Sequence, residues 1–329
     1  MFAIGVFLVW WVYRKHDIVS IIEDIKKAQY SWILLSFVFA LISHFARALR
    51  WNILINSLGH KTKPHTTFYA IMIGYMANVI VPRLGEVSRC GVLHKKDKIP
   101  FNSLLGTVLS ERVFDLIVLL FLIFLVIVFQ LQMVGGFVSN LMQKVLYTED
   151  GNGFSSYIYF IGVFILFVCV LYFFVKIYKN KLQKLTVFEK IRNFKNGFTT
   201  GFTTILKLEK KGLFFFYTFI IWFMYFLMTY VVFFAMKETE NLRWIDGLTI
   251  LAIGSLGMVV PLPGGFGSYH FVVKGLLVEL YMVPDKVSAA WAGLIHTSQT
   301  LMILVVGLIS YFIIISLRKK SDKIDALSE

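Results

Sequence analysis

The sequence predicts an all-α polytopic membrane protein, built as an inverted-topology repeat with two re-entrant helical hairpins. Of its 329 residues, 58% are hydrophobic and 17% are aromatic, and the mean hydropathy is +0.74. This composition is too apolar for a soluble domain and is typical of helices that cross a bilayer. Two broken apolar segments and an uneven distribution of basic residues predict how those helices are arranged.

The first of these observations is a broken apolar segment at residues 245–282. An apolar run reaches Pro261 and Pro263, turns through a glycine-rich stretch and leaves as a second apolar run. Prolines and glycines at the centre divide such a segment into two half-length helices. A bilayer tolerates the break only where the loose backbone is buried in protein or lines a polar cavity. We therefore predict a re-entrant hairpin over residues 245–282.

A similar segment predicts another hairpin at residues 67–93. Its small residues precede those of the later segment by a constant 180 positions: Gly74 before Gly254, Gly85 before Gly265, and Ser88 before Ser268. Broken apolar segments at corresponding positions of two halves are the sequence sign of a transporter-like binding site. The alternative is a chance match of a few small residues.

The distribution of basic residues predicts the orientation. Ten Lys and Arg residues face two acidic ones between Lys176 and Lys211, and four basic residues lie in the tail at 318–329, so both segments are expected in the cytoplasm. Lysines flanking the first hairpin place its base inside as well. Three predicted spans separate the hairpins, so the second enters from outside. The two tips are then expected to meet near the middle of the cytoplasmic membrane.

These predictions divide the chain into five parts. They are residues 1–29, a short apolar segment and an interfacial amphipathic helix; 30–131, the first repeat; 132–211, an outer loop, a spanning helix and a basic cytoplasmic segment; 212–317, the second repeat; and 318–329, the tail. Residues 1–13 are fewer than the roughly 20 that span a bilayer. Isoleucines on one face of residues 17–29 predict a helix lying in the interface.

Charged residues interrupt the apolar helix that follows the first hairpin. Glu111 lies about 16 Å beyond Pro100 at the helical rise, close to the middle of a hydrocarbon core of roughly 30 Å. Asp115 shares its helix face, and Arg112 is within reach of Asp115. Because each charge at that depth costs at least about 2.5–3.5 kcal/mol, we expect either a substrate site or a structural ion-pair network that locks the hairpins.

The two hairpin turns supply further candidates. The first turn is charged, whereas the second exposes backbone amides before Ser268, where a helix N-terminus suits a phosphate or carboxylate. Tight helix packing is the alternative use of those glycines. The predicted substrate-binding residues are Arg83, Glu86, Arg89, Glu111, Arg112, Asp115, Gly264, Gly265, Gly267, Ser268, His270, His296 and Gln299. Arg47 and Arg50 are expected at the inner mouth, where they extend to the headgroups or line a lipid pathway.

Several function classes find no support in the sequence. It has no His-Glu-x-x-His, P-loop, Gly-x-Ser-x-Gly or cysteine zinc pattern, so we predict no cofactor and no metal. Cys90 and Cys169 lie in apolar surroundings, which argues against a disulfide framework. The net charge of +14 follows from the basic loops and does not indicate nucleic-acid binding.

Four motifs resemble the transmembrane region of the lysylphosphatidylglycerol synthase/flippase family, or flippase-like domain. They are Arg47-Ala48-Leu49-Arg50-Trp51, Pro82-x-x-Gly85-Glu86-x-x-Arg89, Glu111-Arg112-Val113-Phe114-Asp115 and Pro263-Gly264-Gly265-Phe266-Gly267. The resemblance implies a protein that moves a polar lipid between leaflets, fused in some members to a cytoplasmic aminoacyl-transferase. We expect no such domain here, so synthesis of aminoacylated lipid is not implied. His270 stands where many members carry an acid.

The leading hypothesis is therefore a flippase or lipid-binding transporter for an anionic phospholipid or lipid-linked sugar. Arginines of the first repeat and the amides of residues 264–268 would hold a phosphate, while Glu111, Asp115 and His296 balance charge or exchange protons. Two alternatives remain open: a membrane-embedded lipid-modifying enzyme, and a non-catalytic partner of a separate lipid-synthesising or glycosyl-transferring enzyme.

Overall fold

The fold is that of a computed structural model, which describes residues 2–14, 17–130, 208–260 and 262–328, with side chains as far as Leu317. The expected outer loop and spanning helix, most of the basic cytoplasmic segment, and Pro261 lie outside these ranges. Throughout the described ranges the regular structure is helical, without strands.

The described helices are numbered here in chain order. They are α1 (Phe2–Tyr13), α2 (Ile18–Lys27), α3 (Tyr30–Asn56), α4 (Pro64–Ile80), α5 (Leu84–Asp97), α6 (Phe101–Phe129), α7 (Lys211–Tyr230), α8 (Trp244–Val259), α9 (Ser268–Glu279) and α10 (Asp285–Ser328). Four segments of the described chain are long and apolar enough to cross a membrane: α3, α6, α7 with the 3₁₀ turn that extends it to Ala235, and α10 as far as Leu317. This confirms the expectation of an all-helical polytopic protein.

The first broken segment forms a helical hairpin of α4 and α5, which pack against each other. A Cβ atom added at Gly74 would lie 2.8 Å from the carbonyl oxygen of Gly85, so the two backbones approach as closely as glycine permits. The amide of Gly85 donates to Asn78 Oδ1 at 2.7 Å. Between the helices, Arg83 adopts a left-handed conformation with φ of 65°. The break between the two helices lies at residues 81–83, and the re-entrant path of this hairpin in a membrane stays a prediction.

The second broken segment forms a hairpin of α8 and α9. A short 3₁₀ turn, Pro263–Gly265, separates the helices, and Gly264, Gly265 and Gly267 have φ values of 55°, 73° and 88°. The hydroxyl of Ser268 donates to the carbonyl oxygen of Gly257 at 2.6 Å and joins the two helices. Since other residues rarely adopt positive φ, the glycines are what allows this turn.

The contacts inside the two hairpins repeat at the separation seen in the sequence. Gly74 with Arg89 corresponds to Gly254 with Tyr269, and Gly85 with Asn78 corresponds to Gly265 with Met258. The tips also meet, because a Cβ atom at Gly264 would lie 3.5 Å from the Cα of Val79 at the end of α4. Two contacts therefore recur at the separation of 180 residues, and the repeat itself stays a prediction.

Helices of the two halves pack in reciprocal pairs. The long helix preceding each hairpin contacts its counterpart, α3 against α7, and the first helix of each hairpin contacts the long helix that follows the other, α4 against α10 and α8 against α6. A two-fold relation between the halves would produce these pairs, and the inverted orientation in a membrane stays a prediction.

The N-terminal helices pack on the second half. The hydroxyl of Tyr13 donates to the carbonyl oxygen of Ala289 at 3.1 Å, which fixes the end of α1 against α10. Lys286 forms an ion pair with Asp24 of α2 at 2.9 Å. Helix α1 is too short to be counted among the spans.

Replacing Gly74 with alanine is expected to destabilise the protein by about 1–3 kcal/mol, because the added methyl group meets the Gly85 carbonyl and the Cβ of Arg89. Gly91→Ala on α5 is the matched control, since nothing lies within 4 Å of a Cβ there. Thermal unfolding in detergent should show a lower midpoint for the first variant only. Equal midpoints would contradict the close approach of α4 and α5.

Candidate functional site

Five charged side chains from three helices form a buried cluster in the first half. Arg47 and Arg50 lie one turn apart on α3, Arg89 comes from α5, and Glu111 and Asp115 lie one turn apart on α6. None of the five residues is more than 8% exposed. We call these five side chains the buried cluster. They lie at the junction of α3, α5 and α6.

The carboxylate of Glu111 is the centre of the cluster. Arg50 Nη2 donates to its Oε1 at 2.9 Å, and Arg89 Nη2 donates to its Oε2 at 2.8 Å. Asp115 lies one turn further along, with Oδ1 2.8 Å from Arg50 Nη1 and Oδ2 3.1 Å from Arg47 Nη2. The two carboxylates therefore hold three helices together through guanidinium groups.

The buried cluster carries more positive than negative groups. Three guanidinium groups, which stay charged in proteins, face two carboxylates. Arg89 Nε and Nη1 have no hydrogen-bond partner within the described ranges, and the same holds for the Nε atoms of Arg47 and Arg50. Buried charges are costly unless they are paired and hydrogen-bonded. Both carboxylate oxygens of Asp115 also lack a hydrogen bond among the described residues, so the cluster has one surplus positive charge together with unpaired donors and acceptors.

Neighbouring side chains that were not among the predicted site residues complete the surroundings. The indole ring of Trp51 lies 4.5 Å from Arg89 Cζ, and the hydroxyl of Thr218 on α7 accepts from Arg50 Nη1 at 3.2 Å. His44 lies one turn before Arg47 on α3, and its buried Nδ1 has no hydrogen-bond partner among the described residues. The sequence indicates His44 only by its helical spacing from Arg47, and Trp51 only by its place in the first motif. Thr218 is 168 residues from Arg50, and no local pattern connects them.

A second group of polar side chains surrounds the turn of the second hairpin. His296 Nε2 lies 2.9 Å from the carbonyl oxygen of Gly264, and the amide of Gly267 donates to His270 Nδ1 at 3.4 Å. The two imidazole rings contact each other at 4.7 Å between centroids. The structure therefore brings both predicted histidines to the predicted turn, where they bind its backbone.

An exposed ion pair marks a groove between α5 and α6. Arg112 Nη2 donates to Glu86 Oε1 at 2.9 Å, and the two side chains are 42% and 25% exposed. The groove has a volume of about 500 Å³, and it is lined by Glu86, Asn102, Leu105, Gly106, Val108, Leu109 and Arg112. It combines one polar end with an apolar wall.

The chain is similar to known proteins over most of its length. The family model described as "Lysylphosphatidylglycerol synthase TM region" matches residues 1–307. The chain belongs to this family. A curated relative, "UPF0104 membrane protein" of Methanothermobacter thermautotrophicus, is 24% identical over 295 residues, which cover 82% of this chain and 81% of the relative. No solved structure matches.

Membership of the lysylphosphatidylglycerol synthase TM region family confirms the resemblance seen in the four motifs. Together with the four long apolar helices, it identifies a multi-pass membrane protein in contact with lipid. All four motifs contribute to the two polar groups or to the groove.

The structure places several arginines differently from what the sequence predicted. Arg47 and Arg50 do not extend towards headgroups, because the carboxylates of α6 face α3 and bind them. Arg112 does not pair with Asp115, since Asp115 is held by α3 and Arg112 lies on the side of α6 that faces Glu86. Arg83 lies exposed at the first turn, away from the buried cluster.

The backbone amides expected to bind an anion are largely engaged within the turn. Gly265 donates to the carbonyl oxygen of Leu262 at 3.1 Å, and Gly267 donates to His270. The amides of Gly265 and Gly267 therefore already have acceptors within the turn, and a Cβ atom at either residue would meet a neighbour. Gln299, expected beside His296, instead donates to Ser36 Oγ of α3 at 3.0 Å.

Proposed function

We propose that this protein binds an anionic lipid, either a phospholipid or a lipid-linked sugar, and moves its headgroup between the leaflets of the cytoplasmic membrane. The observation that carries the proposal is the surplus guanidinium of the buried cluster. A phosphate beside Arg89 would balance the third positive charge and accept hydrogen bonds from Nε and Nη1. Arginine is suited to this role because its planar donors match the geometry of a phosphate.

The groove at Arg112 and Glu86 provides the route by which we propose that the lipid arrives. Its leucine wall suits acyl chains, and its ion pair offers a cation and an anion to a headgroup. Glu111 and Arg112 are consecutive on α6, so the groove and the buried cluster lie on neighbouring faces of one helix. In the state described, the cluster is closed, and a headgroup reaches it only when α5 and α6 separate.

The arrangement of the hairpins supports a transport role. Substrate sites in inverted-repeat transporters lie between the repeats, where broken helices meet near the bilayer midplane. The contact of Gly264 with Val79 and the reciprocal helix pairs agree with that architecture. We propose that the first hairpin enters from the cytoplasm and that the C-terminus is cytoplasmic, as the basic segments predict.

The proposal predicts that the purified protein retains one class of anionic lipid and that Arg89→Gln releases it. Removing a hydrogen-bonded charge costs about 1.5–3 kcal/mol, so retention should fall roughly ten- to hundredfold. Mass spectrometry of lipids bound to equal amounts of folded protein measures the change. Arg14→Gln is the matched control, because Arg14 is exposed and contacts the rings of Trp10 and Trp11.

Equal lipid profiles for the wild-type protein and Arg89→Gln would contradict the proposal. The buried cluster would then be a structural network that locks α3, α5 and α6 together. Loss of lipid in both arginine variants would also contradict it, because general surface charge would explain the retention.

A further inference from the structure

A second positively charged site lies outside the four motifs, where α3 ends and α4 begins. A cavity of about 410 Å³ opens there, between the α3–α4 connection, the last turn of α5 and α10. It is lined by Lys61, Thr62, Lys63, His65, Thr66, Lys96, Asp97 and Leu317. We call it the basic cavity. No residue of the buried cluster lines it, so it is a separate site.

The charge of the basic cavity is predominantly positive. Three lysines line it against one carboxylate, that of Asp97, which already accepts a hydrogen bond from Thr62 Oγ1 at 2.5 Å. Lys96 donates to the carbonyl oxygen of Leu317 at 3.3 Å, which fixes its ammonium group at the cavity wall. The cavity therefore offers cations whose charge the lining residues do not neutralise.

The wall of the basic cavity also contains uncommitted donors at the start of α4. Lys63, the N-cap residue, provides no side-chain cap, and Pro64 occupies the first turn. Thr66 is only 3% exposed, yet its hydroxyl has no hydrogen-bond partner in the described part of the chain, whereas the hydroxyls of Thr62 and Thr67 are bonded. An unpaired hydroxyl at the cavity wall, free first-turn amides and the positive end of a helix dipole are the features that bind anions.

The position of the basic cavity relates it to the membrane surface. In the sequence, Leu317 ends an apolar run and is followed by Arg318, Lys319 and Lys320, so the cavity lies at the level where the apolar part of α10 ends. Basic pockets between transmembrane helices at that level bind phosphate-bearing lipid headgroups. The side chain of Leu317 adds an apolar surface beside the lysines.

From these observations we propose that the basic cavity binds a phosphate group, held by Lys63, Lys96, Thr66 and the N-terminus of α4. The phosphate belongs either to the headgroup of an anionic phospholipid or to a free phosphate compound. This site is additional to the transport site, and its existence does not depend on lipid translocation.

The test measures binding of two probes to the purified full-length protein in an uncharged detergent. Inorganic phosphate represents the free compound, and soluble dioctanoyl phosphatidic acid represents the lipid. Lys63→Gln/Lys96→Gln removes two lining charges, whereas the control Lys95→Gln/Lys98→Gln removes two charges from the same end of α5 without changing the lining. Thr66→Val removes no charge. Unfolding midpoints without probe confirm that each variant is folded.

Lys63→Gln/Lys96→Gln is expected to weaken the binding of each probe about 25-fold, because each lysine near an anionic group contributes roughly fivefold to affinity. Thr66→Val should weaken binding by roughly fivefold, the value of one hydrogen bond. The control pair should bind as the wild type does. Tighter binding of the phosphatidic acid than of phosphate would assign the site to a lipid, and equal binding would assign it to a free phosphate compound.

Three results would overturn the proposal. They are the absence of saturable binding of either probe to the wild type, unchanged affinity in Lys63→Gln/Lys96→Gln, and equal weakening in the control pair. The last result would mean that the probe responds to the overall charge of this surface and not to the cavity.

Discussion

Glu111→Gln is expected to cost the protein about 3–5 kcal/mol of stability, a large part of the roughly 5–15 kcal/mol that keeps a typical protein folded. The substitution leaves three buried guanidinium groups facing the single carboxylate of Asp115. Arg89→Gln changes the cluster in the opposite sense, since it leaves two positive groups facing two negative ones. It should therefore destabilise the protein much less, although both substitutions remove the same 2.8 Å contact.

The double variant Glu111→Gln/Arg89→Gln tests this asymmetry. Because it removes one charge of each sign, it should be more stable than Glu111→Gln alone, and a double-mutant cycle gives the coupling energy. Unfolding monitored in detergent supplies the four stabilities. If Arg89→Gln is as damaging as Glu111→Gln, the cluster has no surplus positive charge to offer, and its function is to lock the helices.

Arg112→Gln is expected to slow lipid translocation at least about tenfold while the protein stays folded. The ion pair with Glu86 is partly exposed, and such pairs contribute about 0–1 kcal/mol to stability. An anionic headgroup passing through the groove would lose its first cationic contact, and tenfold corresponds to 1.4 kcal/mol. Reconstitution in vesicles with a fluorescent anionic lipid measures the rate.

Glu86→Gln/Arg112→Gln distinguishes the effect of losing the Arg112 charge from the effect of breaking the ion pair. It leaves no charge unpaired in the groove, so it should be as stable as the wild type. If Arg112 acts on the headgroup, the double variant remains slow and Arg112→Lys recovers part of the rate. Wild-type translocation by the double variant would show that the pair serves only the packing of α5 on α6.

The hairpins could be predicted from sequence because their requirements are local. A close approach such as that of Gly74 to Gly85 needs glycine, and a turn with positive φ at Gly264 needs it too, so both leave a mark in the sequence. Glu111 and Asp115 were placed on one face by helical spacing alone. Repeated spacing then extended the prediction from one hairpin to the other.

The partners of those residues could not be predicted in the same way. Arg50 is 61 residues from Glu111, and its depth along α3 suits a headgroup as well as a carboxylate. Which face of α6 meets α3 depends on the packing of the whole helix bundle. Likewise, the amide of Gly267 was expected to be free, but the position of His270 one turn later engages it.

Arg50 links the proposed binding of a headgroup to the contact between the two halves. Its guanidinium binds Glu111 and Asp115 of α6 and also the hydroxyl of Thr218 on α7, so one side chain connects the first half to the second. A headgroup that draws on these donors competes with the contacts that keep the halves closed. In the proposed function, headgroup affinity and closure are therefore thermodynamically linked. The free energy that keeps the two halves in contact is subtracted from the intrinsic free energy of headgroup binding.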